Sequence, residues 1–591
     1  MLMMLGKKGW IRYNAVMMSM IVAYFLSQFK SRPLLTWAWS LGLVLVLGWG
    51  LPRASAPVFA GTTGSGPVVW LWSGAVTSVS ARVNAHLDSP STQVRLVVSP
   101  NPDLSNPIYS APAVADAANG NTVTLEISGL TPDTDYFYAV EVDGVLDTSL
   151  QGEFHTFPTG ASSFRFAFAG DAEKGSNQPV FDAIRQENAL FFLSPGDFFY
   201  ADITTNDINL YRQAYFDTLT APRQQALYQS LPVVYMWDDH DYGGNDSDKT
   251  SPSREAARLA YQENVPHYPL ADNPSDHLDC SYADPAACRS MNQSFAVGRA
   301  YFIVTDLRSE RDPKSQTDDA GKSMMGVVQK QWFKDQLLYA RDNYDLIFWV
   351  SSVPWIEAPT TGSDRWGGYA TEREELADFI RDNQVHNLII LSADAHMLAL
   401  DDGSNSDFAA GGGAAMPVMH GAALHRGGSV KGGPYSHGAY PNPSSLDGQY
   451  AVVEVTDTGG TVCVSYMGKR LPDGASAPTT ILTWNACTQP VTPDPTIALN
   501  AADVTLSWAD DPANCRYQVF RSQTPYFDPA GLTPATEVQS PTDPTEATFA
   551  GDAGDPAVNH YYQVRALDCL NPQTADGPQQ GEFDFALTPG G

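Results

Sequence analysis

Positive charge is scarce in this sequence: 35 lysines and arginines stand against 66 aspartates and glutamates, a formal net charge of −31. A chain this acidic has no basic stripe to displace counterions from a phosphate backbone, which excludes nucleic-acid binding as a main activity. Cysteine is scarce too, with six residues in 591, and none has the close paired spacing of a zinc knuckle. Charged residues of either sign make up only 17% of the chain while hydrophobic ones make up 43%, a globular composition and not a disordered one. The length suits about three folded units beyond any targeting segment.

Two long apolar stretches lie near the start, Ala15 to Leu26 and Leu34 to Leu51, the second preceded by Lys30 and Arg32 and followed by Ala54-Ser55-Ala56. Residues 1–56 read as a signal peptide cleaved after Ala56 or Ala60, with translation starting at Met17, Met18 or Met20, or else as a signal anchor. Either reading exports the chain to a periplasm, a cell surface or the medium, and membrane contact is expected only through this segment if it stays uncleaved. All six cysteines lie downstream, in near-neighbour pairs Cys280 with Cys288, Cys463 with Cys487, and Cys515 with Cys569. An even count in an exported chain favours disulfides, although six cysteines permit fifteen connectivities.

Residues 62–158 alternate apolar and polar positions in short β-rich runs, such as Val68 to Trp72 and Tyr136 to Val142, with turns such as Leu130 to Thr134 between them. This predicts a β-sandwich, and Leu130 to Val142 with Phe154 to Phe157 resembles the end of a fibronectin type III-like domain. From 163 to 488 the style changes to apolar strands alternating with helical runs, which predicts a layered α/β domain. The glycine-rich stretch Gly411 to Gly438 reads as one long loop. A proline-rich linker, 489–496, leads to a second fibronectin type III-like sandwich at 497–591, marked by runs such as Tyr517 to Arg521 and Tyr561 to Arg565.

Chemistry gathers where apolar strands run straight into polar loops. Four segments share that layout: Phe166 to Asp171, Phe191 to Asp197, Val234 to Asp241 and Leu388 to His396. One aspartate after one strand commonly caps a helix or opens a turn. Four together match the rule that ligands of open α/β sheets collect at strand carboxyl ends.

The order Gly-Asp, Gly-Asp-x-x-Tyr, Trp-Asp-Asp-His-Asp and Ser-Ala-Asp-x-His resembles that of the PhoD-like alkaline phosphatases, a branch of the calcineurin-like metallophosphoesterases related to purple acid phosphatases. Gly175 to Asp182, Asp364 to Tyr369 and Lys431 to Ser436 extend the resemblance, which covers Gly66 to about Cys487. It implies a four-layer metallophosphoesterase sandwich between the two fibronectin type III-like domains. It further implies that Asp197 bridges two metals, with Tyr200, His396 and Asp171 completing one site and Asp239 and Asp394 the other. Tyrosinate, carboxylate and imidazole suit Fe³⁺, and an oxygen-dominated set suits Ca²⁺, or Mg²⁺ or another divalent cation in its place.

By the same resemblance His240 assists the phosphoryl group or leaving oxygen. Arg365, with Tyr369 beside it, lines the substrate mouth, where Arg365 either clamps phosphate as a catalytic residue or is a solvated arginine beside a packing tryptophan. The wider superfamily usually begins with Asp-x-His, and many PhoD-like members carry a cysteine just after the first strand, where this chain has Asp171-Ala172-Glu173. The sequence leaves open whether Asp171 or Glu173 reaches the metal. The expected activity is hydrolysis of phosphate esters, monoesters or diesters, with phospholipids or wall polymers among the candidates. The competing reading is a non-catalytic calcium-binding adhesion protein, and oligomeric state is not legible.

Overall fold

Aromatic and β-branched strands stack here into facing sheets, and the polar segments between them become the loops that matter. The structure, a computed structural model, describes residues 65–270 and 282–488, and, between 493 and 581, all but 501–502, 510–513, 515, 531, 540–544, 553–559, 568–569 and 571–573. The leader expected at residues 1–56 lies outside the described residues, as do Cys280, Cys515 and Cys569. Cys463 and Cys487 sit opposite each other on paired strands and are disulfide-bonded.

The chain first forms a three-stranded sheet (Val68–Gly74, Ser80–Leu87, Thr122–Ser128) and a five-stranded one built around Ser91–Ser99, Asp135–Val142 and Val145–His155. Ala81, Val83, Ala85 and Leu87 alternate inward along one strand, as a half-buried strand requires. The Thr131 amide donates to the Tyr136 hydroxyl at 3.0 Å, tying down the turn before its strand. Trp72 projects from this sandwich and stacks on Phe198 at 5.6 Å, and its indole N–H donates to the Asn264 carbonyl at 2.9 Å. The sandwich thereby buttresses the residue that follows Asp197.

The central region is built from β1 (Phe164–Phe168), α1 (Val180–Arg185), β2 (Phe192–Ser194), α2 (Ile208–Leu219), α3 (Pro222–Ser230), β3 (Val233–Tyr235), α4 (Asp239–Tyr242), α5 (Arg254–Asn264), β4 (Gln293–Val297), β5 (Ala300–Val304), α6 (Gly326–Asn343), β6 (Leu346–Val350), α7 (Ala370–Asp382), β7 (Leu388–Ser392), β8 (Met397–Asp401), β9 (Val418–Gly421), β10 (Ala439–Pro441), β11 (Gly448–Asp457), β12 (Val462–Leu471) and β13 (Thr479–Cys487). One sheet runs β3-β2-β1-β11-β12-β13, the other β4-β5-β6-β7-β9-β8-β10. β1, β2 and β3 are parallel, as are β5, β6, β7 and β9.

Residues of one parity on β1 face the second sheet: Phe166 meets Phe302 and Phe348 at 5.4 Å each, edge to face. Opposite parity on β5 and β6 sends Ile303, Ile347 and Trp349 outward against α6 and α7. The result is a sandwich of two sheets with helices outside, an α/β layering in which the parallel strands of both sheets end at one rim. The stretch Gly411 to Gly438 departs from the expected single loop. It contains β9, because Val418, Met419 and His420 are fully buried between β7 and β8.

A smaller sandwich follows from Thr496, with Val504, Leu506, Trp508, Tyr517, Val519 and Val564 at its core. Among the described residues no helix is long and apolar enough to cross a membrane.

Candidate metal centre

The loops leaving β1, β2, β3 and β7 converge because glycine lets their backbones touch. A Cβ on Gly170 would lie 2.6 Å from the Gly196 carbonyl oxygen and 2.8 Å from the Ala393 Cβ, and one on Gly196 would lie 2.6 Å from the Asp238 Cβ. Any other residue at these two positions would force the strand ends apart. Asp171, Asp197, Asp394 and His396 all adopt φ between 48° and 66°, a left-handed conformation that costs a non-glycine residue about 1–2 kcal/mol and persists where the surroundings over-determine it.

These turns aim side chains at one point. Asp171, Asp197 and His396 form one group whose ligand atoms lie within 4.8 Å of one another, Asp197, Asp239 and His240 a second, and Asp238, Asp239 and Asp394 a third. Asp197 is thus shared by the first two and Asp239 by the second and third. The Tyr200 hydroxyl lies 2.8 Å from His396 Nε2 and donates to Asp171 Oδ1 at 3.3 Å. Asp171, not Glu173, is the residue brought to this point: Asp171 is fully buried, whereas Glu173 is 41% exposed and pairs with Arg426.

The electrostatics of these side chains point to a cation. Asp171 Oδ2, Asp197 Oδ2 and Asp394 Oδ2 are buried without a hydrogen-bond partner, a state that a carboxyl group tolerates beside a positive charge or by holding a proton. Burial, then the neighbouring Asp239, pushes Asp197 well above the usual carboxylate range. Burial likewise lifts Asp394 to about 7 against the opposing pull of Lys431. Asp239 goes the other way, since Arg308 and His240 outweigh its burial and hold it low. Burial and then Asp197 and Asp171 push the Tyr200 phenol well above its ordinary value. Oxygen-rich, mutually repelling and partly orphaned, this donor set fits cations. Tyr200, His396, Asp171 and Asp197 would hold one, and Asp197, Asp239 and Asp394 another.

His240 is the second residue of α4, held at both ends. Its ring stacks on Tyr200 with centroids 4.0 Å apart, and its Nδ1 lies 2.7 Å from Asp202 Oδ1. Asp241 turns away from the centre, accepting from the Phe198 amide at 2.8 Å and from the Tyr235 hydroxyl at 2.6 Å.

Of the two residues expected at the substrate mouth, Tyr369 is placed differently. Tyr369 is fully buried, its hydroxyl donating to the Asp312 carbonyl at 2.6 Å, with the Lys322 ammonium 4.3 Å from its ring. It packs the floor and offers no surface to a substrate. Arg365 is committed to Glu357, donating from Nε at 2.9 Å, and to Asp364 at 3.3 Å.

Sequence reasoning missed Arg308 and Asp202. Arg308 is fully buried, forks onto both oxygens of Asp238, and lies 3.7 Å from Asp239 and from Asp364. Its signal was weak, since Thr305, Asp306 and Leu307 separate it from the apolar strand that ends at Val304. Asp202 stands two residues beyond Tyr200, and nothing in its neighbourhood shows that the turn reaches back to His240.

The chain is similar to known proteins. The family model described as PhoD-like phosphatase matches residues 167–432, and that of the PhoD-like phosphatase N-terminal domain matches residues 60–158. Alkaline phosphatase D of Bacillus subtilis (strain 168) is 23% identical over 333 residues, which are 48% of this chain and 54% of that protein, so the chain spans about half the length of that curated relative. A solved structure of PhoD aligns with a TM-score of 0.56 at 18% identity, covering 74% of this chain and 91% of that one. That of a purple acid phosphatase from yellow lupin (Lupinus luteus) seeds aligns with a TM-score of 0.44 at 13% identity, covering 70% of this chain and 73% of that one.

Proposed function

This chain belongs to the PhoD-like phosphatase family, and from that premise we propose that it is a metal-dependent phosphoesterase hydrolysing phosphate monoesters, and diesters as a second substrate class. The observation that carries the proposal is the convergence of three orphaned carboxylate oxygens, from Asp171, Asp197 and Asp394, beside the Tyr200 and His396 pair. We assign Fe³⁺ to Asp171, Asp197, Tyr200 and His396, because a phenol, two carboxylates and an imidazole together make a donor set suited to a hard trivalent ion. Ca²⁺, or Mg²⁺ in its place, goes to Asp197, Asp239 and Asp394. Such cations supply Lewis acidity toward phosphoryl oxygens and make water acidic enough to attack at neutral pH.

The chain's own groups do the rest. Asp202 takes a hydrogen bond from His240 Nδ1, and in the imidazolium form of the ring, with both nitrogens protonated, Nε2 is left to donate a proton or a hydrogen bond to the departing oxygen. Packing against Tyr200 holds that ring in place. Lys431, bonded to Asp394 at 2.6 Å, offsets part of the carboxylate charge that would otherwise repel a phosphate dianion.

We place the enzyme outside the cytoplasm, a reading supported by the Cys463–Cys487 disulfide. We assign residues 62–158 and 497–591 as fibronectin type III-like modules flanking the catalytic region 163–488. The test is hydrolysis of a chromogenic phosphomonoester by the chain begun at about Pro57, before and after chelation and after return of iron and calcium. Turnover lost on chelation and restored by metal, with a visible tyrosinate-to-iron absorption that disappears in Tyr200→Phe, is expected. Absence of turnover on both a monoester and a matched diester would overturn the proposal.

A further inference from the structure

The cations around the centre are not equally available to a substrate. Arg308 is sealed against Asp238, both fully or almost fully buried. Lys431 bonds the buried Asp394, and Arg365 bonds Glu357, whose side chain is 10% exposed. Arg426 differs. Its guanidinium carbon lies 3.8 Å from the centroid of the Tyr200 ring, and its anionic partner, Glu173, is 41% exposed while the Arg426 side chain is 32% exposed. Ion pairs this open to water contribute little, so a better anion displaces the carboxylate cheaply.

The backbone beneath Arg426 is fixed where the side chain is not. The Leu424 and His425 amides donate to the carbonyls of Gly170 and Asp171, both at 3.0 Å. The Asn442 amide group donates to the Arg426 carbonyl at 2.9 Å, and His396 Nδ1 lies 2.7 Å from the Gly427 carbonyl oxygen. The segment is bolted to the loops that carry Asp171 and His396, so the arginine is presented directly over the Tyr200 end of the centre. A guanidinium stacked on a ring keeps its in-plane N–H groups free for bidentate contact with a phosphate.

We propose that Arg426 is the residue that binds the phosphoryl group of the substrate, and that Glu173 is a competing anion that holds the guanidinium until phosphate replaces it. This rests on the phosphoesterase reading above and names the substrate contact of that same site. No bond is made or broken in the exchange. Lysine at this position would keep the charge and lose the fork.

The metal-loaded full chain and its variants are titrated with inorganic phosphate by calorimetry, and KM, kcat and the phosphate inhibition constant are measured alongside metal content. Arg426→Ala should weaken phosphate binding and raise KM by roughly tenfold to a hundredfold, as expected for lost hydrogen bonds to a charged group, with metal content unchanged and a smaller change in kcat. Arg426→Lys should recover part of the loss, and Glu173→Gln should tighten phosphate binding about twofold to fivefold, the size of an exposed ion pair. Phosphate bound by Arg426→Ala as tightly as by the wild type, weaker binding in Glu173→Gln, or no phosphate binding at all overturns the proposal. Binding that depends on Arg426 in a chain that hydrolyses no ester would instead sink the enzymatic reading and leave the phosphate contact standing.

Discussion

Replacing Asp202 should slow turnover without emptying the metal sites. Its Oδ1 is 2.7 Å from His240 Nδ1, and the amides of Ala201 and Asp202 both donate to the His240 carbonyl, at 3.3 and 3.1 Å. The turn after Tyr200 therefore grips His240 by ring and by backbone. The Asp202 side chain is 56% exposed and that of His240 16%. A hydrogen bond to a charged group contributes roughly 1.5–3 kcal/mol, and solvent screening at a half-exposed carboxylate discounts this to about 1 kcal/mol. Asp202→Ala should then lower kcat roughly fivefold, whereas His240→Ala, which removes the proton donor itself, should lower it by about a hundredfold or more. Asp202→Asn should fall between wild type and Asp202→Ala, because the amide oxygen still accepts from Nδ1–H but carries no charge.

The assay is steady-state hydrolysis of a chromogenic phosphomonoester, with iron and calcium content measured on the same samples. Metal content and KM should hold. The double variant should be no slower than His240→Ala alone, since a residue that acts only through His240 has nothing left to orient. An Asp202→Ala chain with undiminished kcat, or a double variant slower by the full product of the single effects, would refute the reasoning.

Removing the Arg308 side chain leaves Asp238, 1% exposed, without its counter-charge, and Arg308→Ala should destabilise the fold by roughly 3–5 kcal/mol in chemical denaturation; a loss under about 1 kcal/mol would show that the pair is not what holds the strand end. Burial lifts the Glu372 carboxyl from 4.5 to about 7, and one of its oxygens has no partner. A group raised in the folded state favours folding fully below its unfolded pKa and loses that contribution as pH rises through its folded pKa. Wild-type stability should therefore fall between pH 5 and 8 by up to roughly 3 kcal/mol relative to Glu372→Gln. Parallel denaturation curves for the two chains at each pH would contradict it.

The carboxylates at the ends of β1, β2, β3 and β7 could be read in advance because the signal is local: an apolar run, then glycine or a small residue, then aspartate. Asp171, Asp197 and Asp394 carry it, Asp239 follows Trp237 and Asp238 instead, and Tyr200, His240 and His396 stand just beyond these aspartates; all are gathered at one rim. Arg308 lacks that signal, standing past the end of β5 after Thr305, Asp306 and Leu307, and only the fold seals it against Asp238. Tyr369 and Arg365 stood in a loop with the right chemistry, but whether a loop aromatic faces solvent or core depends on what packs above it. For Tyr369 that is the Lys322 side chain and the Asp312 backbone. Glycine content in Gly411 to Gly438 suggested a loop throughout, but Val418–Gly421 is buried and pairs with β7 on one side and β8 on the other, which no local signal shows.

By itself the sequence determined the layered alternation of strands and helices, the sandwiches before and after it, and which residue types end each strand, since periodicity and strand-end chemistry are set by near neighbours in the chain. Only the tertiary structure decided which carboxylates are left with orphaned oxygens, which cations are consumed by buried partners, and which arginine stays open to a phosphate. Tyr200 and His396 lie 196 residues apart and yet within 2.8 Å. Contacts of that kind follow from the order in which two sheets are assembled, where burial and pairing are fixed by everything that packs around a side chain and by nothing adjacent to it in sequence.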